Sequence, residues 1–341
     1  MSFDPEHPPW PLLPLLWPAS GLFGAGAWVR EIAYKTGAKR AERLPVPVIS
    51  VGNLTVGGNG KTPFVLELCA RLERRPIRAV VVARALGQAR QRAPVLAGQA
   101  GEALLSAEAV GDEARLLSQR SRLPVVVADE KRLAARYAAE ALGAQAILVD
   151  DGFQHRALAR DLDIVLLDAA APYGNGRFLP AGSLREPRSA LRRAGLVGLV
   201  QAPFDSARHP AAPRPDFVLA IQPRALRPLG GGPALELGAL AGLRVAAAAA
   251  IGRPRRFLAT LQGLGATIVS EALLRDHAPI PAATLEALAA QAEVTVITEK
   301  DAARFTGVPP QKIWVLEIGA AVVEGEAALE QALDQALAVA R

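Results

Sequence analysis

The sequence predicts an α/β protein: a P-loop NTPase-like domain on a parallel sheet, followed by a second, smaller α/β domain. Three observations carry this. Short apolar, β-branched runs alternate with longer helical stretches, the pattern of βαβ units. The first run leads into GNLTVGGNGKTP, a glycine-rich loop with a helical stretch behind it. A loop-rich stretch and a proline–glycine segment then separate this alternation from a second one. The 341 residues suffice for two domains. They divide into an N-terminal arm (1–44), a P-loop domain (45–222), a second α/β domain with linker strands (223–322) and a closing helix (323–341).

Composition narrows the functional classes. A hydrophobic share of 51% against 21% charged residues allows a sizeable core and excludes a disordered or fibrous chain. The single cysteine, Cys69, excludes a disulfide framework and any cysteine-rich zinc module, and fits a reducing compartment. Four histidines (His7, His155, His209, His277) leave little room for a histidine-built metal site. The net charge of +6 favours anionic partners: nucleic acid, phosphorylated substrates or an anionic membrane face. No nucleic-acid-binding module is recognisable. An aromatic share of 5% argues against a base-stacking platform, so no nucleic-acid partner is expected.

The arm opens the chain. His7 to Val29 holds no Asp, Glu, Lys or Arg, a length that could span a bilayer. Pro8, Pro9, Pro11, Pro14 and Pro18 are expected to interrupt its first half, and lipid punishes unpaired backbone groups. Asp4 and Glu6 in front of it argue against a signal peptide. Trp10, Trp17 and Trp28, followed by Arg30, Lys35, Lys39, Arg40 and Arg43, suit an element lying at a membrane interface. The competing reading is an apolar arm packed on the protein's own core.

The first domain's strands are read at Val46–Val51, Ala79–Val82, Pro124–Val127, Ala146–Val149 and Ile164–Leu167. Its helices are read at Pro63–Arg74, Asp112–Ser118 and Lys131–Ala141. Pro203–Pro215 is rich in loop residues, and Pro223–Pro233 reads as a linker. The second domain follows with strands at Arg244–Ala250, Thr267–Val269 and Val294–Ile297. Its helices fall at Pro254–Leu264 and Ala282–Gln291, and Ile313–Glu317 is a further candidate strand. Glu326–Ala340 reads as the closing helix, packing back on the first domain.

The glycine-rich loop carries the clearest chemistry. Thr55, Val56, Gly57, Gly58, Asn59, Gly60, Lys61 and Thr62 stand between strand and helix, where backbone N–H groups can approach phosphate oxygens. Lys61 would contact the β- and γ-phosphates of ATP, and Thr62 would hold Mg²⁺. Thr55 occupies the position where the strict motif has its first glycine. Asp150 and Asp151 end an apolar strand, as a second Mg²⁺-directed carboxylate does in such folds. Other placements stay open on local grounds. Asp112 and Glu113 either cap a helix or act in a site; Asp276-His277 is structural or catalytic; Thr298-Glu299-Lys300-Asp301 caps a helix or meets a base or ribose.

These blocks resemble the tetraacyldisaccharide 4′-kinase family of lipid A biosynthesis. The matching stretches are VGNLTVGGNGKTP (51–63), VGDEARLL (110–117), ILVDDGFQH (147–155), RDLDIVLLDA (160–169), GNGRFLPAGSLREP (174–187), IGRPRRF (251–257), DH (276–277) and ITEKDAARF (297–305). They stand in the family's order, and DDGFQH and LPAG-x-LREP are the most specific. Ser183 stands where the family usually has proline, and Ala83-Arg84-Ala85-Leu86 replaces its usual Ser-Arg-Gly-Tyr.

The resemblance implies two α/β/α domains joined by a two-stranded linker, and a membrane-docking N-terminal element. It implies ATP- and Mg²⁺-dependent phosphorylation of the 4′-hydroxyl of a tetraacylated glucosamine disaccharide 1-phosphate. The setting would be the cytoplasmic face of the inner membrane of a Gram-negative bacterium. Asp112 would be the base and His277 its partner. Thr62, Asp150 and Glu113 would hold Mg²⁺, while Asp151, Gln154, His155, Arg185 and Glu186 would face substrate or γ-phosphate. The alternatives are a membrane-associated nucleotide switch (an ATPase or GTPase) and a P-loop kinase for another acceptor. A polynucleotide-stimulated ATPase would show a steep salt dependence.

Overall fold

The computed structural model describes residues 13–85, 92–205 and 207–338. In chain order the strands are β1 (Val48–Asn53), β2 (Ala79–Arg84), β3 (Val95–Gln99), β4 (Glu102–Ala103), β5 (Val125–Ala128), β6 (Ala146–Asp150), β7 (Leu162–Asp168), β8 (Leu196–Gln201), β9 (Phe217–Pro228), β10 (Arg244–Ala249), β11 (Thr267–Leu273), β12 (Val294–Thr298) and β13 (Ile313–Glu324). The helices are α1 (Leu13–Lys35), α2 (Lys61–Glu73), α3 (Ala107–Val110), α4 (Asp112–Arg120), α5 (Lys131–Glu140), α6 (Pro254–Gly263), α7 (Ala282–Ala289), α8 (Glu299–Arg304) and α9 (Glu326–Leu337).

All strands join one sheet in the order β11-β10-β12-β13-β9-β8-β7-β1-β6-β2-β5-β3-β4. From β9 to β5 neighbours run parallel, and so do the four from β11 to β13. The two parallel blocks meet at one antiparallel seam between β9 and β13. Apolar residues on both faces explain the parallel centre: every residue of β1 is buried. Phe64, Leu68 and Leu72 of α2 cover one face of the first block, and Phe153, Leu54 and Leu184 help cover the other. The second block carries separate cores, around Leu261 and around Leu285.

Two expectations are corrected. Pro223–Pro233 is not simply a linker, because 223–228 belong to the long strand β9. Proline is tolerated at 223 because β8 pairs only with Phe217–Ala220, so at that point β9 has, among the described residues, only β13 beside it; further on, Leu226 alone bridges to Leu235. The ladder shifts register at Pro223, where Glu317 pairs with Ala225 and Ile318 with Pro223. The anticipated divisions after 222 and 322 thus both fall inside strands. Nor do Pro14 and Pro18 break the arm: α1 runs continuously over 23 residues. Pro14 sits in the first turn, where N–H groups have no helical partner, and Pro18 lies one turn further on. Pro8, Pro9, Pro11 and Trp10 lie outside the described residues. No described helix is long and apolar enough to cross a membrane. Strands β3, β4 and β8 were not anticipated.

Helix α9 returns to the first block. Leu329, Leu333 and Ala336 enter the core beneath α2. Arg71 and Arg75 of α2 bind its acidic face, Arg71 to Glu326 at 2.5 Å, Arg75 to Glu330 at 2.7 Å and to Asp334 at 2.9 Å. Leu333 is fully buried. Leu333→Ala should therefore destabilise the fold by about 2–5 kcal/mol, read as a lower urea midpoint by circular dichroism.

Candidate active site

The site begins at the centre of the sheet. β1 lies between β6 and β7, with Val51 paired to Asp150. The loop leaving β1 therefore starts beside the carboxylate that ends β6. Thr55 is buried, and its Oγ1 accepts a hydrogen bond from Asn59 Nδ2 at 2.7 Å, bracing the loop internally. The Val56 N–H donates to the Ser183 carbonyl at 2.8 Å, tying the loop to the LPAGSLREP segment. Gly60 is left-handed (φ 70°), and a Cβ there would stand 2.9 Å from both Ile221 and Val200. Lys61 and Thr62 then open α2.

The two aspartates have opposite electrostatics. Asp151, itself left-handed at φ 50°, receives Arg185 in a two-pronged contact at 2.9 and 2.8 Å, and Lys61 Nζ at 3.4 Å. Burial works to raise its carboxyl, but Lys61, Arg185 and Lys131 outweigh it and hold the group far below the usual range. Arg185 also donates to Asn53 Oδ1, and Lys131 Nζ donates to the Asp151 carbonyl at 2.5 Å. Asp150 is fully buried and its Oδ1 has no hydrogen-bond partner. Burial, then the nearby Glu113, push its carboxyl up to about 6 against the pull of Lys131. An orphaned, buried carboxylate oxygen beside the phosphate loop fits a cation. Thr62 and Asp150, with Glu113 close by, are the residues present to hold Mg²⁺. Among the described residues no group of three or more His, Cys, Asp and Glu is placed to hold a metal ion. Glu113 is also engaged by Lys300 at 2.5 Å. Burial favours its neutral form, but Lys300 prevails and lowers it.

Across the cleft, His277 Nδ1 lies 2.9 Å from Asp112 Oδ2 and 3.2 Å from Oδ1. Asp112 sits at the start of α4 and makes no side-chain capping bond; Gly111 holds the cap position. His277 is left-handed (φ 63°), its N–H donating to the Ala250 carbonyl at 3.1 Å. Arg304 Nη1 stands 3.4 Å from Asp112, while Arg304 also pairs with Asp301. Asp301 in turn accepts from the Ala250 N–H and from Thr298 Oγ1. The Thr298–Asp301 stretch thus caps α8, as one of its local readings held, and braces the dyad as well. The hydrogen bond to Asp112 raises His277 despite burial. Burial opposes but does not prevent the lowering of Asp112 by His277, Lys300 and Arg304.

A cleft of about 420 Å³ joins these parts. Its walls include the phosphate loop, Glu113, Arg185, His277 and Lys300. Asp151 and Asp112 stand immediately behind, bonded to wall residues. Among the wall residues that were not anticipated are two arginines, Arg253 and Arg256, at the start of α6. Both pair with Asp168 at the end of β7, Arg256 at 2.6 Å. Asp168 is held in place by the N–H groups of Ala170 and Ala171. The Arg-Pro-Arg-Arg run was the available signal, but its partner Asp168 lies 85 residues away.

Of the five expected substrate-side residues only Arg185 lines this cleft; Asp151 stands behind it, and the other three are turned elsewhere. Gln154 donates to the Asn53 carbonyl at 2.7 Å. His155 is turned inward, with Nε2 buried and unpartnered, and burial with Lys131 and Arg160 lowers it to about 4. Glu186 is buried between Arg30 of α1 and Arg193.

A phosphate loop at the sheet centre, a strand-end aspartate and an Asp–His pair facing them define a P-loop phosphotransferase. The family model for tetraacyldisaccharide-1-P 4′-kinase, LpxK, matches residues 12–338, and the chain belongs to that family. A tetraacyldisaccharide 4′-kinase of Anaeromyxobacter sp. (strain K) is 43% identical over 94% of this chain and 90% of its own. That of Anaeromyxobacter dehalogenans (strain 2CP-1) is 42% identical over 94% and 89%. Among solved structures, the "apo" form LpxK from Aquifex aeolicus in complex with ATP superposes with a TM-score of 0.74. It is 27% identical, covering 96% of this chain and 98% of that one.

The dyad makes a titration prediction. His277 is raised by Asp112, so its share of stability is complete below its ordinary value and lost as pH rises through the raised one. Asp112 is lowered, so its share is lost only as pH falls through its lowered value. In Asp112→Asn the His277 imidazole should titrate at lower pH than in the parent, followed by NMR.

Proposed function

We propose that this chain transfers the γ-phosphate of ATP to the 4′-hydroxyl of a tetraacylated glucosamine disaccharide 1-phosphate. The work is done at the cytoplasmic face of the inner membrane of a Gram-negative bacterium. The observation carrying the residue roles is the Asp112–His277 pair facing Lys61 across one cleft. The loop amides and Lys61 hold the nucleotide phosphates. Thr62 and Asp150, with Glu113, hold Mg²⁺, which when bound supplies charge neutralisation at the transferring group. Asp112, ionised and oriented by His277, takes the proton of the attacking hydroxyl. Arg253 and Arg256, held on Asp168, face the phosphates from the second block, and Asp151 keeps Lys61 and Arg185 in place.

The division of labour follows the sheet: 45–222 binds nucleotide, and 223–322 brings His277 and the arginines to it. α1 is the membrane element. It docks along a narrow seam: Ser20 Oγ donates to the Phe178 carbonyl at 2.6 Å, and Glu31 meets Arg193 at 3.0 Å. Trp17, Leu22, Trp28 and Val29 remain exposed, 76% for Leu22. An apolar patch of this kind, next to basic residues, suits a lipid interface.

A second reading of the base rests on exposure. The His277 side chain is 49% exposed and lines the cleft, while that of Asp112 is 5% exposed. In that reading His277 Nε2 takes the proton and Asp112 orients it. The pH profile of kcat separates the two. With His277 as base, activity is lost as pH falls through its raised value; with Asp112 as base, activity persists well below it.

The direct test is phosphate transfer from ATP to the tetraacyldisaccharide 1-phosphate in detergent micelles. Lys61→Ala should abolish transfer. Asp112→Ala should lower kcat by about 10²–10⁴-fold with ATP binding retained by calorimetry. Hydrolysis of ATP without transfer to this acceptor would refute the acceptor assignment.

A further inference from the structure

A second recess, of about 490 Å³, opens where α1 ends, away from the nucleotide cleft. Lys39, Arg40, Arg156, Arg160 and Arg193 line it, with Tyr34. Among the described residues on its wall Asp163 is the one carboxylate. It is already engaged by Arg160 at 2.9 Å and by Ser50 Oγ at 2.7 Å. Behind the wall, Glu31 is shared by Arg156, Arg193 and Lys35, and Glu186 by Arg193 and Arg30. Cations thus outnumber carboxylates around the recess. Lys39 and Arg40 are exposed and enter no ion pair with a described residue. Arg193 lies over the Phe153 ring at 4.4 Å with its Nε buried and unpartnered. Burial and the nearby Arg193 even press Arg156 below its ordinary value, although Glu31 opposes them.

The location selects the anion. Trp28, Val29 and Ile32 are exposed on the last turns of α1, immediately before the recess. In a helix whose outer surface is apolar from Trp17 onward, the chain turns basic here, as it does at the phosphate level of a bilayer. Guanidinium groups grip phosphate oxygens in pairs, and here several converge on one hollow.

We propose that this recess binds the phosphate of an anionic glycerophospholipid, anchoring the membrane end of α1 at a fixed depth. The proposal rests on α1 being the membrane element.

Flotation of the full chain with vesicles tests both ideas separately. The vesicles are phosphatidylcholine alone, or phosphatidylcholine doped with phosphatidylglycerol. The variant is Lys39→Gln/Arg40→Gln, two exposed positions whose replacement spares the core. The control is Arg74→Gln/Arg122→Gln, which removes the same charge from exposed positions elsewhere. Phosphatidylglycerol should strengthen binding of the parent. The Lys39/Arg40 variant should lose about tenfold or more of that gain, while the control keeps it and binding to neutral vesicles is unchanged in both. Equal losses in variant and control would mean diffuse surface attraction and overturn the site. Intact binding with a raised KM for the acceptor in micelles would give the recess to the acceptor's own phosphate, and also overturn it. No binding of the parent to either vesicle would refute the membrane reading of α1 itself.

Discussion

The antiparallel ladder between β9 and β13 is the constraint on which the site depends. Each parallel block puts its loops at the carboxyl ends of its strands, where ligands bind in such sheets. Neither block alone contains the site. The phosphate loop, Asp150 and Asp112 come from the first; His277, Lys300, Arg253 and Arg256 come from the second. The ladder spans Trp314 to Glu324 against Val218 to Pro228, so one register positions both sets of loops around one cleft.

Charge then closes the cleft. Five contacts join the blocks there: His277 to Asp112, Lys300 to Glu113, Arg304 to Asp112, and Arg253 and Arg256 each to Asp168. Farther along, Arg120 of α4 reaches Glu299 and Glu317, and Glu299 accepts from the Ile318 N–H. Burial pushes Glu299 up to about 7, more than Arg120 can offset. In each of these ion pairs the carboxylate and its basic partner come from opposite blocks, so separating the blocks would leave buried carboxylates without those partners.

Much of this was legible in the sequence where the signal is contiguous. The phosphate loop reads from Val51 to Pro63 because strand, glycines and helix follow one another within one stretch. Asp150 reads from the strand it ends. Other features are assembled across the chain and leave no local trace. Asp112 and His277 are 165 positions apart, and only the family resemblance paired them. Lys300 looked like part of a helix cap, and Glu113 like a helix start; nothing local announces their ion pair. The strand through Pro223 was hidden because proline ordinarily argues against strands; it is tolerable there because the β8 pairing ends at Ala220 and leaves β13 as the one partner of Pro223 among the described residues. His155 and Glu186 belong to specific motifs, yet neither lines the cleft: His155 Nε2 is buried without a partner, and Glu186 pairs with Arg30 of α1 and with Arg193.

The seam has a mechanical consequence. Main-chain bonds running across a ribbon strongly oppose slippage by a residue, since a slip of one position inverts which face every side chain occupies. They oppose twisting far less, because two-stranded ribbons accommodate a wide range of twist. Beyond Ala220 the described residues on the β9 side add only the isolated bridge between Leu226 and Leu235. The ribbon therefore sets the level at which the two blocks meet, which keeps His277 opposite Asp112 rather than a residue above or below it.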